Sequence, residues 1–148
     1  MPILLLTSSG SDNEHKRERG RSLHKKQLRN ILVIEPDPDL CRALTRKLSR
    51  NVRVNFSVVT SNNHETGLTL LKGNPDFYDI VIVNLGRSVP LFMDFIGAAR
   101  KAIPQAFFVL FTGSTAEIPP EAKLDAIIRG KDPQALIDRI SIMVAPRR

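Results

Sequence analysis

The chain has no tryptophan, one tyrosine and one cysteine, and no apolar run approaches the length needed to span a bilayer. The lone Cys41 cannot close an intramolecular disulfide, and no Cys/His cluster has metal-ligand spacing, which excludes disulfide scaffolds and zinc modules. A reducing compartment, the cytoplasm, is the expectation. With aromatic residues at 5%, the core has to be built from aliphatic side chains, and aliphatic cores suit α/β folds. There is no glycine-rich phosphate loop and no helix-turn-helix pattern. The opening MPILLLTSSG has too short an apolar run for a secretory signal and no basic segment before it, so an unexported protein without a membrane partner is expected.

What is present is enough for one domain: 148 residues, 42% hydrophobic and 25% charged. The net charge is +7, and it is unevenly spread. Residues 1–29 hold seven basic residues against Asp12, Glu14 and Glu18, a surplus of four. Between Thr7 and Arg29 there is little to bury besides Leu23 and Leu28. Residues 1–29 therefore read as a basic, disordered arm, either solvated or in weak, salt-sensitive contact with nucleic acid. Residues 30–144 read as the folded domain and 145–148 as a tail.

From Asn30 onward strands and helices alternate strictly. NILVIE is a first strand, and PDPDL supplies a turn with Asp37 as N-cap and Pro38 at the first helical position. Leu40, Ala43, Leu44 and Leu48 recur at helical spacing. FSVVT is a second strand, and Ser61 or Asn63 can cap the next helix, in which Gly67 suggests close packing on a sheet. YDIVIVNL, residues 78–85, has the β-branched run of a buried central strand and closes on Asn84. A helix with Leu91, Phe92, Phe95, Ile96 and Ala99 on one face follows, then the strand AFFVLFT ending at Thr112. The Pro119-Pro120 loop leaves little room for a long helix, LDAII is a fifth strand, and DPQALIDRISIMV is a last helix capped by Asp132. Five such units without internal repeat predict a doubly wound parallel sheet, flavodoxin-like, with right-handed crossovers.

In open α/β sheets, chemistry gathers at the carboxyl ends of the strands, so Asn84 stands where a site is expected. An amide is a poor nucleophile. The stretches NILVIEPDPDL, NHETGLTLLKGNPDFYDIVIVNL, and FVLFTGS with DPQALIDRI resemble the receiver domain of two-component response regulators, CheY-like, over residues 30–144. The resemblance implies strand order 2-1-3-4-5 with a shortened fourth helix. In that family an acidic pair after strand one holds magnesium, an aspartate ending strand three accepts a phosphoryl group, a Thr or Ser ends strand four and a Lys ends strand five. Carried across, the acidic pair falls on Glu35 and Pro36, the phosphoacceptor on Asn84 and the hydroxyl on Thr112. The lysine position falls on Arg129 or, with a shorter loop, on Lys131. Asp37 has two possible roles, metal ligand or helix cap. The strand-five aromatic of the family falls on Ala126 or Ile128, and Ser88 stands where the family has a proline. The resemblance thus implies a degenerate receiver, a pseudo-receiver in phosphorelay signalling, non-enzymatic and without metal or cofactor. Its implied partner is a histidine kinase or an output-domain protein docked on the fifth strand and last helix, and a homodimer is compatible. The competing readings are a receiver still phosphorylated with the help of Glu35 and Asp37, and a nucleic-acid-associated protein using the arm.

Overall fold

The computed structural model describes residues 28–144. The arm through Gln27 and the tail at 145–148 lie outside the described residues. Ten elements follow in order: β1 (Leu28–Ile34), α1 (Pro38–Ser49), β2 (Asn55–Ser61), α2 (His64–Gly73), β3 (Ile80–Val83), α3 (Val89–Ala102), β4 (Phe107–Thr112), a single 3-10 turn (Pro120–Ala122), β5 (Ala126–Arg129) and α4 (Pro133–Val144). All strand pairs are parallel, and the order across the sheet is β2-β1-β3-β4-β5. Where a fourth crossover helix would stand there is only the 3-10 turn. This matches the room that Pro119-Pro120 leaves.

Successive side chains of a strand point to opposite faces, so each central strand feeds two cores. Leu32, Ile34, Val81, Val83, Phe108 and Leu110 pack under α2 and α3, with Leu71, Phe92, Phe95, Ile96 and Ala99. Ile31, Val33, Ile80, Ile82, Val109 and Phe111 pack under α1 and α4, with Leu44, Leu48, Leu136, Ile137 and Ile140. All four residues of β3 are buried, as a strand covered on both faces requires. Gly67 is where α2 meets β1, and a Cβ there would stand 2.4 Å from Ile34 Cδ1.

Local chemistry sets the helix starts. Asp37 caps α1 by accepting from Asp39 N–H at 3.0 Å, Asn63 rather than Ser61 caps α2 by accepting from Thr66 N–H at 2.7 Å, and Asp132 accepts from Gln134 N–H at 3.0 Å. Ser88 caps α3 through Leu91 N–H at 3.3 Å, so the residue standing in place of a proline has a structural task.

Four expectations need correcting. β1 begins at Leu28, not Asn30, because Leu28 and Arg29 pair with Asn55 and Phe56, so the folded domain takes in the last two residues assigned to the arm. β3 is confined to Ile80–Val83, since Asp79 and Asn84 continue the hydrogen bonding but flank the strand. β5 starts two residues later and ends one later than expected, at Ala126–Arg129. Leu91 is 52% exposed rather than on the inner face, because it lies in the first turn of α3 and the inward stripe starts at Phe92.

Candidate functional site

The carboxyl ends of β1, β3, β4 and β5 lie along one edge of the sheet, and β1, β3 and β5 are each continued by one hydrogen bond past the strand. Glu35 N–H donates to Ser61 O at 2.9 Å, Asn84 N–H to Ile34 O at 3.0 Å and Gly130 N–H to Thr112 O at 2.8 Å. This backbone ladder fixes the side chains of Glu35, Asn84 and Thr112 along one rim of the sheet. Glu35 is 5% exposed and Thr112 is buried, two polar groups in a nearly dry position.

Their hydrogen bonds show how that position is satisfied. Glu35 Oε2 accepts from Asp37 N–H at 3.1 Å, and Asn84 Nδ2 points at Glu35 Oε1 from 3.5 Å, the long limit of a hydrogen bond. Asn84 Oδ1 accepts from Gly86 N–H at 2.7 Å, so both ends of the amide are engaged. Thr112 Oγ1 accepts from Ser114 N–H at 3.0 Å, a local turn that holds the start of the following loop.

The two cations expected near the rim have different surroundings. Arg129 donates to Ser114 O at 2.8 Å. Lys131 lays its chain across the end of β4, where a Cβ on Gly113 would lie 3.1 Å from its Cε. It is Lys131 whose charge acts on Glu35. Burial is the largest influence on Glu35 and pushes its carboxyl above the ordinary range. The Asp37 N–H pulls it back, the Asp37 carboxylate pushes it up, and the Asn84 amide and Lys131 charge pull it down. The Cys41 thiol, near the same end of α1, is likewise pushed up by burial first and then by Glu35, which leaves it a poor nucleophile at neutral pH.

A raised carboxyl in the folded state means that ionisation works against folding. The penalty is absent below the unfolded value, about 4.3, and complete above the raised folded value. Glu35→Gln should therefore raise the denaturation midpoint at pH 7 and leave it unchanged near pH 3, when urea unfolding is compared at the two pH values. A destabilised variant at pH 7 would mean that the carboxylate is held by Lys131 and the Asp37 N–H more strongly than burial opposes it.

One participant carries no signal in the sequence. His64 opens α2, stacks on Phe95 at 4.8 Å between ring centroids, and brings Nε2 to 2.7 Å from Asn84 O, where its N–H donates. Gly86 passes directly over that ring with φ +81°, and a Cβ there would meet His64 Cε1 at 2.8 Å. Twenty residues separate His64 from Asn84, so only the sheet topology brings them together.

The donor set does not fit a magnesium ion of the kind that the acidic pair holds in the receiver family. A hard dication wants several oxygen ligands, carboxylates above all. Pro36 has no side-chain oxygen, Asp37 Oδ1 is occupied in capping α1, and Asn84 Oδ1 is taken by Gly86 N–H. That leaves Glu35, already bonded to Asp37 N–H, beside an open cleft of about 530 Å³ lined by Pro36, Cys41, Arg42, Thr60 and Thr66. Among the described residues, no group of three His, Cys, Asp or Glu side chains is placed to hold a metal.

No protein-family model matches this sequence, and no curated protein matches it either. Solved structures do. A CheY-like response regulator receiver domain protein from Methanospirillum hungatei superposes with a TM-score of 0.69 at 17% identity, over 79% of this chain and 94% of that one. A CheY-like receiver domain from Methylobacillus flagellatus gives 0.64 at 17% identity, over 79% and 99%. The response regulator protein TrrA from Thermotoga maritima, solved in complex with Mg(2+)-BeF, gives 0.62 at 22% identity, over 78% and 99%. With the strand order and the alternation of helices already in place, these matches establish that the chain has the fold of the CheY-like response-regulator receiver domains.

Proposed function

We propose that this chain is a receiver-like protein of two-component, phosphorelay signalling that acts without being phosphorylated, as a protein-interaction module. One observation carries the reading. At the end of β3, where phosphoryl transfer needs a free carboxylate, Asn84 presents an amide with its oxygen on Gly86 N–H and its nitrogen toward Glu35. An amide oxygen forms no acyl phosphate under these conditions, and the neighbouring Pro36 supplies no ligand for a cation. The capping role of Asp37 weakens the alternative of an improvised metal site.

The partner, a histidine kinase or an output-domain protein, docks on β5 and α4. In support, Ile127 is 38% exposed on the edge strand, where the 3-10 turn replaces a covering helix, and Ile142 is 69% exposed on α4. Gln134 and Ser141 of α4 face Lys47 of α1 and Asn51 in the turn after it, which leaves Ala135, Arg139 and Ile142 on the other flank. Lys131 is the counter-charge of Glu35 in this reading, and Arg129 is a loop anchor.

Beryllofluoride, which mimics an acyl phosphate on a carboxylate, tests the reading. In magnesium and beryllofluoride the amide resonances of Asn84, Thr112 and Ala126 to Arg129 should not move. Saturable shifts at those residues would mean that the rim still accepts a phosphoryl group.

A further inference from the structure

We propose that the outer face of α1 is a docking stripe for the phosphate backbone of duplex nucleic acid. From Asp39 to Arg50 the exposed positions are Asp39, Arg42, Arg46, Lys47, Ser49 and Arg50. Arg42, Arg46 and Arg50 follow at intervals of four residues, about 6 Å of helix axis per step, in one slowly turning row. Lys47 stands beside the row, and Arg53 follows on the turn to β2. Against these five cations stands Asp39, paired with Arg42. The carboxylate facing them from the neighbouring helix is Asp138, which accepts from Gln134 Nε2 at 2.9 Å, while Gln134 Oε1 is 3.5 Å from Lys47 Nζ. Among the described residues Arg46, Arg50 and Arg53 make no ion pair.

The helix dipole welcomes cations in the last turn of α1, yet it asks for neither Arg42 in the second turn nor Arg53 beyond the end. The stripe has the composition of a polyanion contact. From Asp39 to Arg50 none of the exposed positions is apolar or aromatic, and the one exposed apolar side chain at its end, Val52 before Arg53, is small, so the stripe lacks the aromatic anchor on which a protein partner's affinity commonly rests. It also lacks the aromatic platforms on which single strands stack. Evenly spaced cations with no element to enter a groove suit phosphates, whose contacts position without reading sequence. The stripe lies on the described fold and does not depend on residues 1–27, or on whether the rim at Asn84 is phosphorylated.

The test uses the full chain and a fluorescent duplex of about 20 base pairs, titrated by anisotropy between about 50 mM and 200 mM salt. The variant Arg46→Gln/Lys47→Gln/Arg50→Gln is compared with Lys72→Gln/Arg87→Gln/Lys101→Gln, which removes the same charge elsewhere on the fold. The stripe variant should bind at least about tenfold more weakly at the lower salt, and its slope of log K against log salt should be shallower by nearly 3. The control variant should change less than about twofold. Thermal unfolding should fall only slightly, and by a similar amount in the two variants, since the replaced side chains are exposed and each variant removes cations from the last turn of a helix. Equal losses in both variants would reduce the effect to net charge, and an unchanged stripe variant would move the contact elsewhere; either overturns the proposal. So would failure of the full chain to bind duplex, or displacement of the duplex as readily by polyglutamate, which would mark an acidic-protein surface.

Discussion

Phe92→Ala should cost about 3–5 kcal/mol of folding free energy, a large part of the roughly 5–15 kcal/mol that holds a domain of this size together. Phe92 is buried in the first inward turn of α3, in the core layer that also holds Val83, Leu85 and Phe108, and its ring lies 6.3 Å from that of His64. Truncation removes that packing and leaves a cavity under the loop that carries Asn84. The expected result in urea unfolding is a strongly lowered midpoint with an unchanged slope, since the folded and unfolded states still differ by nearly the same area. A loss below about 1 kcal/mol would mean that the β3–α3 junction collapses into the cavity at little cost.

Asn84→Asp should destabilise the fold at alkaline pH and restore little phosphorylation. The substitution sets a second carboxylate where Asn84 Nδ2 now lies 3.5 Å from Glu35 Oε1. Two like charges about 4 Å apart repel by about 4 kcal/mol in an environment of intermediate dielectric, so the pair is expected to hold a shared proton and titrate as a unit. The second ionisation of the pair is then raised above the unfolded values. The penalty is full above that raised value and fades below the unfolded values, about 3.9 and 4.3, as the pair regains its protons. Urea unfolding of the variant should show a deficit of about 2–4 kcal/mol at pH 8 that closes on acidification, with Lys131 limiting its size. Magnesium should recover only part of the deficit because Pro36 offers no third oxygen. Rapid magnesium-dependent labelling by acetyl phosphate would show instead that Glu35 and Asp37 suffice as ligands.

The fold was legible because its signals are local and agree with one another. β-branched runs alternate with amphipathic helices, Asp37 and Asp132 mark helix starts, and Gly67 marks the contact of α2 with Ile34. What escaped the sequence depends on pairing across the sheet. Leu28 and Arg29 have no strand character of their own and become strand by lying beside Asn55 and Phe56. The two candidates at the end of β5 differ by two positions, and only the path of the chain over Gly113 separates Lys131 from Arg129. His64 is a lone histidine at a helix start. Its contact with Asn84 O exists because β2 and β3 both flank β1 in the sheet. On α1 the sequence places Arg42, Arg46 and Lys47 outside the apolar positions Leu40, Ala43, Leu44 and Leu48, and the fold sets Arg50 and Arg53 beyond them with little opposing charge.

The proposed function stands on a rim at Asn84 that is chemically closed to phosphoryl transfer. Intact-mass measurement after incubation of the full chain with acetyl phosphate and magnesium tests it most directly. The mass is expected to stay unchanged, with the same result at every magnesium concentration. A stoichiometric gain of one phosphoryl group, stable in acid and released by hydroxylamine as an acyl phosphate would be, would contradict it.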